Sequence, residues 1–280
     1  MDDPQLQLAN AMSEDLSIFI GFHSPAAEAY EICKYSIEKY ASAGVHVFPL
    51  VQDQLRAEGL YTRPLDTKAS NEFSMTRWLA PHLSKTRYAI FMDSDMLLTG
   101  DIKQLIDQLD KGKAAYVVKH DYTPRSSTKM SENGEVKQQY VYPRKNWSSF
   151  VIYDCEHPAI TQLTPELINS CEPSYVHRFS FLRDYEIGDI GNWVRSDEAD
   201  DVHVPLVNFL VGEYPKPANH EPLVLHYTLA IPGYHDDCSR CDYYRDWIDM
   251  RDEMRLRDRV LALESAVQGQ VLPTSSAKAA

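Results

Sequence analysis

Short apolar runs alternate along the chain with stretches of helical periodicity. Leu16 to Phe22 (LSIFIGF), Val45 to Leu50 (VHVFPL), Tyr88 to Met92 (YAIFM), Lys113 to His120 (KAAYVVKH), Phe150 to Asp154 and Leu223 to Tyr227 (LVLHY) each suit one buried strand. Between the first two, Ala29, Ile32, Cys33, Ile37 and Tyr40 recur at helical spacing within Pro25 to Tyr40. Further helices are expected over Phe73 to Leu83, from Asp101 through Leu109, and over Thr164 to Cys171, where Thr164 and Pro165 form a cap followed by proline at the first helical position. A charged amphipathic helix follows from Tyr243 to Leu263, with Trp247, Ile248, Met254, Leu256, Val260, Leu261 and Leu263 as its apolar content. Strand, helix, strand in succession predicts an α/β fold, a mostly parallel central sheet flanked by helices. The boundaries expected are a loose tail over 1–15, one domain over 16–265 and a small polar, disordered tail over 266–280. Residues 121–141 are charged and Ser-rich, a mobile loop over a site or an exposed insertion.

The stretch around which this pattern turns is Tyr88 to Ile102, YAIFMDSDMLLTGDI. Its apolar run stops at Asp93 and Asp95, separated by Ser94, and Met96 to Leu98 resumes it. Two charges set among apolar neighbours must be paired or bound to metal to avoid a large desolvation cost. Strand ends are where open α/β sheets bind small molecules, and carboxylates there offer oxygen ligands to a hard divalent cation. The plainer alternative is that the aspartates end a strand and cap a turn. Other candidates surround them. The strand, glycine, helix opening makes Gly21 and Phe22 candidates for nucleotide contact, although a glycine at a strand end is also an ordinary turn. Arg77 could brace Asp93 or meet a phosphate. Asn146, Trp147, Ser148 and Ser149 stand at a strand entrance, where an indole beside hydroxyls can hold a sugar ring or be a buried turn. His226 ends a strand and could complete coordination begun by the aspartates.

Charge narrows the partners. With 41 acidic and 28 basic residues the formal net charge is -13, which argues against a nucleic-acid partner. No apolar run is long enough to span a bilayer, and the acidic start lacks a signal peptide's features, so cytoplasmic residence is the default expectation. The five cysteines, Cys33, Cys155, Cys171, Cys238 and Cys241, are scattered and odd in number, unlike an extracellular disulfide framework. CSRC at Cys238 to Cys241 could be half a zinc site with His235 or Asp237, or a redox couple; without a second CxxC a free pair is favoured.

The order of blocks adds a family. IFIGF, AYEICKYSI, FSMTRWLAPHL, FMDSDMLLTGDI, KHDYTP, YPRKNWSSFVIYDCEHP, LTPELIN, HRFSFL, NFLVGE and HYT run from about Leu16 to about Trp247. This order resembles bacterial and phage glycosyltransferases of the glycogenin-like, family 8-type class. The resemblance implies a GT-A architecture, a single Rossmann-like domain that binds a nucleotide-diphosphate sugar. It implies Asp93 and Asp95 as the metal motif, His226 as a third ligand, Arg77 near the diphosphate, and Asn146 and Ser148 lining the sugar pocket. Relatives follow HYT with a Gly-Gly-Pro-Trp turn, whereas this chain has Leu229, Ala230, Ile231, Pro232, Gly233 and Tyr234, which leaves the contacts made there open.

The activity implied is a metal-dependent hexosyltransferase using Mn²⁺ or Mg²⁺ and a nucleotide-sugar donor, with a carbohydrate or glycoconjugate acceptor and retention at the anomeric carbon. Asp184 and Glu186 are the acidic candidates for stabilising the oxocarbenium-like centre or holding acceptor hydroxyls. The C-terminal helix could pair with a second copy. Two alternatives share the aspartates: a nucleotidyltransferase, which needs a basic cluster that is not seen near Asp93, and an inactive protein that keeps the fold to bind a carbohydrate or a partner.

Overall fold

The computed structural model describes residues 15–66, 69–130, 136–139, 141–234 and 241–270. In chain order the strands are β1 (Leu16–Gly21), β2 (Val45–Leu50), β3 (Tyr88–Met92), β4 (Met96–Leu98), β5 (Ala115–Val117), β6 (Thr128–Met130), β7 (Val136–Gln138), β8 (Phe150–Asp154), β9 (Ile187–Asp189), β10 (Val194–Arg195), β11 (His203–Val204), β12 (Phe209–Leu210) and β13 (Val224–His226). The helices are α1 (Ala27–Tyr40), α2 (Gln52–Ala57), α3 (Ala80–Leu83), α4 (Gln104–Asp107), α5 (Pro165–Ser170), α6 (Pro173–His177) and α7 (Tyr244–Gln270).

Six strands form the main sheet in the order β2-β1-β3-β8-β5-β9. Its pairs are parallel except at β8, which runs antiparallel to both β3 and β5. Every residue of β1, β3 and β8 is buried, as expected of a sheet covered on both faces. Alternation then sorts the side chains. Ile18, Ile20, Ile90, Met92 and Ile152 pack with Tyr30, Cys33 and Ile37 of α1. Phe19, Ala89, Phe91, Val151 and Tyr153 pack on the opposite face with Trp78, Leu79, Leu163 and Phe179. A slip of one residue in β3 would exchange the two sets, so the register is tightly specified. A second, three-stranded sheet, β12-β13-β4, packs with the start of α7 through Phe209, Leu225, Trp247, Met250 and Met254.

The local differences from the sequence reading have identifiable causes. Phe73 to Leu83 is not one helix but a 3₁₀ turn, Thr76–Leu79, followed by α3. Pro81 has no N–H to give to the carbonyl of Arg77, four residues back. The 121–141 excursion contains the antiparallel hairpin of β6 and β7. The resumed apolar run Met96 to Leu98 is a strand of its own, and α7 continues to Gln270, past the expected tail boundary. Residues 1–14 and 271–280 lie outside the described residues, as do Cys238, His235 and Asp237 of the CSRC reading. Cys33, Cys155 and Cys171 are free thiols. No described helix is long and apolar enough to cross a membrane.

Candidate metal centre and cavity

The chain leaves the main sheet at Met92 and enters the small one at Met96, and Asp93-Ser94-Asp95 is the crossing. That explains apolar residues on both sides of the aspartates: they belong to two strands in two sheets. Antiparallel pairing of β4 with β13 sets His226 opposite Met96, which brings the imidazole beside Asp95. Two backbone bonds fix the crossing. Asp93 N–H donates to the Ser149 carbonyl at 3.0 Å, and Tyr227 N–H donates to the Asp95 carbonyl at 2.9 Å.

The result is a compact donor set. His226 Nε2 lies 3.2 Å from Asp95 Oδ1, and one ligand atom each from Asp93, Asp95 and His226 fall within 4.8 Å of one another. Two atoms bound to a cation at about 2.2 Å sit at most about 4.4 Å apart, so small side-chain adjustments suffice to bind one. His226 is 2% exposed, while the aspartates face a cavity. Arg77, itself 5% exposed, places Nη1 3.1 Å from Asp93 Oδ1 and donates to the Ser148 carbonyl at 2.8 Å. Its guanidinium lies over Phe91 and Phe73, 4.9 and 5.3 Å from their ring centroids. Of the two roles open to it from sequence, bracing Asp93 is the one seen.

The cavity has a volume of about 400 Å³. Arg77, Asp93, Ser94, Asp95, Asn146, Ser148 and His226, all singled out from sequence, line it. Gly21, Phe22, Asp184 and Glu186 do not. A Cβ on Gly21 would lie 2.4 Å from the Phe73 ring, so this glycine makes room for an aromatic ring. Phe22 packs edge-on against Tyr30. The Asp184 side chain is 90% exposed and holds Arg144 at 2.5 Å, and Glu186 accepts from the backbone N–H of Arg183. Trp147 also stays out of the cavity: Arg144 and Lys119 lie over its ring and its Nε1 donates to the His120 carbonyl at 3.1 Å.

Several lining residues escape sequence reasoning. Lys145 and Arg178 add positive charge, and His177 places Nδ1 3.2 Å from Ser148 Oγ. Burial, and after it the charge of Arg77, lowers the His177 pKa to about 3, so the ring is neutral at pH 7. His177 and Arg178 open the HRFSFL block, but nothing in their spacing separates them from ordinary surface residues.

Comparison with known proteins places this geometry. No family model matches the chain. Protein CDI of Arabidopsis thaliana is 40% identical over 241 residues, which cover 84% of this chain and 86% of that protein. Among solved structures, the apo bifunctional glycosyltransferase WbbM aligns over 87% of this chain and 51% of its own, at 14% identity and a TM-score of 0.52. The chain thus spans about half the length of WbbM. The galactosyltransferase LgtC, solved in complex with donor and acceptor sugar analogues, aligns over 85% of this chain and 95% of its own, at 11% identity and a TM-score of 0.50. The fold is that of the GT-A glycosyltransferases, with a mostly parallel central sheet and flanking helices.

Proposed function

The chain belongs to the family of Protein CDI of Arabidopsis thaliana, a name that states no chemistry, and from the site we propose a metal-dependent glycosyltransferase of the glycogenin-like kind. It would move a hexosyl group from a nucleotide-diphosphate sugar to a carbohydrate or glycoconjugate acceptor. The observation that carries this reading is the convergence of Asp93, Asp95 and His226 within 4.8 Å at a cavity of about 400 Å³. Such a volume is in the range of small-molecule sites.

Two carboxylates and an imidazole suit Mn²⁺ somewhat better than Mg²⁺, and they leave positions for two diphosphate oxygens. When bound, the ion offsets charge developing on the departing nucleoside diphosphate. Arg77, paired with Asp93 at 3.1 Å, balances the carboxylate until an ion does so. Once a divalent ion balances the aspartates, the remaining charged residues of the lining, Arg77, Lys145 and Arg178, are all cationic, which suits a diphosphate. Asn146, Ser148 and Ser174 offer hydrogen bonds to sugar hydroxyls along the same wall.

Retention is supported by the carboxylate inventory: among the described residues lining the cavity, only Asp93 and Asp95 carry one. Inversion calls for a general base on the acceptor. The lining histidine outside the donor set, His177, is a poor base, because its buried ring resists the proton. We place the transferase unit at 16–265. We further propose self-association through the far part of α7, where Leu256, Val260, Leu263 and Val267 are exposed at 4-3-4 spacing. Light scattering during gel filtration would return a monomer mass if that is wrong.

The activity is tested by incubating the protein with UDP-, GDP- and dTDP-sugars and Mn²⁺. Release of free nucleoside diphosphate is expected. Pyrophosphate release would instead indicate a nucleotidyltransferase, and neither product with any donor would indicate a binding protein that keeps the fold.

A further inference from the structure

From the cavity wall a chain of buried polar side chains runs back into the fold behind His226. Asn208, 0% exposed, stands just before β12 in the left-handed region at φ 50, a conformation that asparagine tolerates better than most residues. Its Oδ1 is 2.7 Å from His226 Nδ1. Its Nδ2 faces Ser149 Oγ at 3.0 Å, His120 Nε2 at 3.1 Å and the Asn146 carbonyl at 3.4 Å.

The direction of these bonds follows from a group that can only accept. The Asn146 carbonyl takes the Ser149 hydroxyl hydrogen at 2.7 Å, so Ser149 Oγ is left to accept from Asn208. The nitrogen of the Asn208 amide therefore faces Ser149 and His120, and its oxygen faces His226. Facing an acceptor, His226 Nδ1 must carry a hydrogen, so when a cation lies between Nε2 and the aspartates the ring meets it with the Nε2 lone pair. That nitrogen is the one 3.2 Å from Asp95 Oδ1. The far end is closed consistently: His120 Nε2 accepts from Asn208, and His120 Nδ1 meets the Tyr214 hydroxyl at 2.9 Å.

We propose that Asn208 is a positioning residue that locks His226 in its Nδ1–H tautomer and aims the Nε2 lone pair at the cation site formed with Asp93 and Asp95. The inference rests on the metal reading of that site, but not on which donor or acceptor the protein uses. Partners that orient a metal-bound histidine in this way contribute strongly to affinity, and their removal typically costs roughly 10- to 100-fold.

The test compares Asn208→Leu, which removes both amide groups, with Asn208→Asp, which keeps an acceptor opposite Nδ1. Mn²⁺ binding is measured by titration calorimetry without any nucleotide. A loss of roughly 10- to 100-fold is expected for the leucine variant, and affinity close to wild type for the aspartate variant. In a His226→Ala background the leucine change should have no further effect on Mn²⁺ affinity, because its route to the ion is gone. Nitrogen NMR of histidine-labelled, metal-free wild type at pH 8 reads whether His226 Nδ1 carries a hydrogen and does not depend on any variant folding. Wild-type affinity in Asn208→Leu, or a His226 Nδ1 without a hydrogen in the wild type, overturns the proposal. A wild type that takes up no Mn²⁺ sinks the metal reading and this inference with it. One that binds Mn²⁺ but turns over no donor sinks the activity alone.

Discussion

Replacing Arg77 with methionine separates the two things this residue does. The guanidinium is 5% exposed and faces Asp93, whose side chain is 14% exposed, at 3.1 Å. Removing it strands a largely buried carboxylate and takes a hydrogen bond from the Ser148 carbonyl. Breaking such a pair costs about 3–5 kcal/mol, and the open cavity beside Asp93 points to the lower end, about 3 kcal/mol. In a chain of this length each kcal/mol is worth roughly 2 °C, so the metal-free melting temperature should fall by about 6 °C. Manganese should restore much of that loss. A divalent ion balances the same carboxylates, and in the variant it no longer meets the guanidinium, so its affinity rises and each tenfold gain adds about 1.4 kcal/mol. Thermal unfolding with and without saturating MnCl₂ measures both effects. The reasoning fails if the metal-free variant melts with the wild type, or if Mn²⁺ raises its melting temperature by less than it raises that of the wild type.

Asp95→Asn is a cleaner probe of the ion than a change at Asp93, which balances Arg77; calorimetry should show Mn²⁺-dependent donor binding abolished. Burial lowers the His120 pKa to about 3, so below its unfolded value of about 6.5 the unfolded chain binds a proton that the folded chain does not, and stability falls as pH falls through the window between them. Guanidinium unfolding at pH 6.5 and 5.0 should register a loss of about 1.6 kcal/mol from this group, and His120→Gln should flatten the mean slope by about 1.1 kcal/mol per pH unit. Gly21→Ala drives a methyl into the Phe73 ring and should cost about 1–3 kcal/mol in chemical unfolding, relieved in part by Phe73→Leu.

What could be read from the chain alone was whatever announces itself locally. An apolar run that stops at two carboxylates exposes both the central strand and the aspartates. Their surroundings depend on pairings invisible in any window of sequence: His226 reaches Asp95 only because β13 pairs with β4, across more than a hundred residues. For the same reason Arg77 had two readings until Asp93 was found beside it. Gly21 was ambiguous because a glycine at a strand end has several causes, and one of them here is the ring of Phe73 from a distant segment. The acidic run around Asp184 offered many carboxylates and no pattern to choose among them; the fold turns Asp184 to solvent and to Arg144. Asn208, His177 and Lys145 fell inside the NFLVGE, HRFSFL and YPRKNW blocks, but nothing singled them out within those blocks, since single polar residues in loops and short helices carry no periodicity.

The four-residue turn from Asn146 to Ser149 shows why side-chain logic alone undercounts this site. Its chemistry is carried largely by carbonyl oxygens. Ser148 O takes the Arg77 guanidinium, Ser149 O takes the Asp93 amide, and Asn146 O fixes the Ser149 hydroxyl on which the orientation of Asn208 depends. Asn146 sits at φ 62, the left-handed conformation asparagine tolerates, at the start of a turn whose Ser148 and Ser149 carbonyls reach Arg77 and Asp93. The turn therefore joins β3, β13 and the Arg77 segment into one hydrogen-bonded unit. Strain introduced at Asn146 should shift the ion site and the stability of the fold together. Alanine at Ser148 would leave its carbonyl in place and report almost nothing of what that residue does for Arg77.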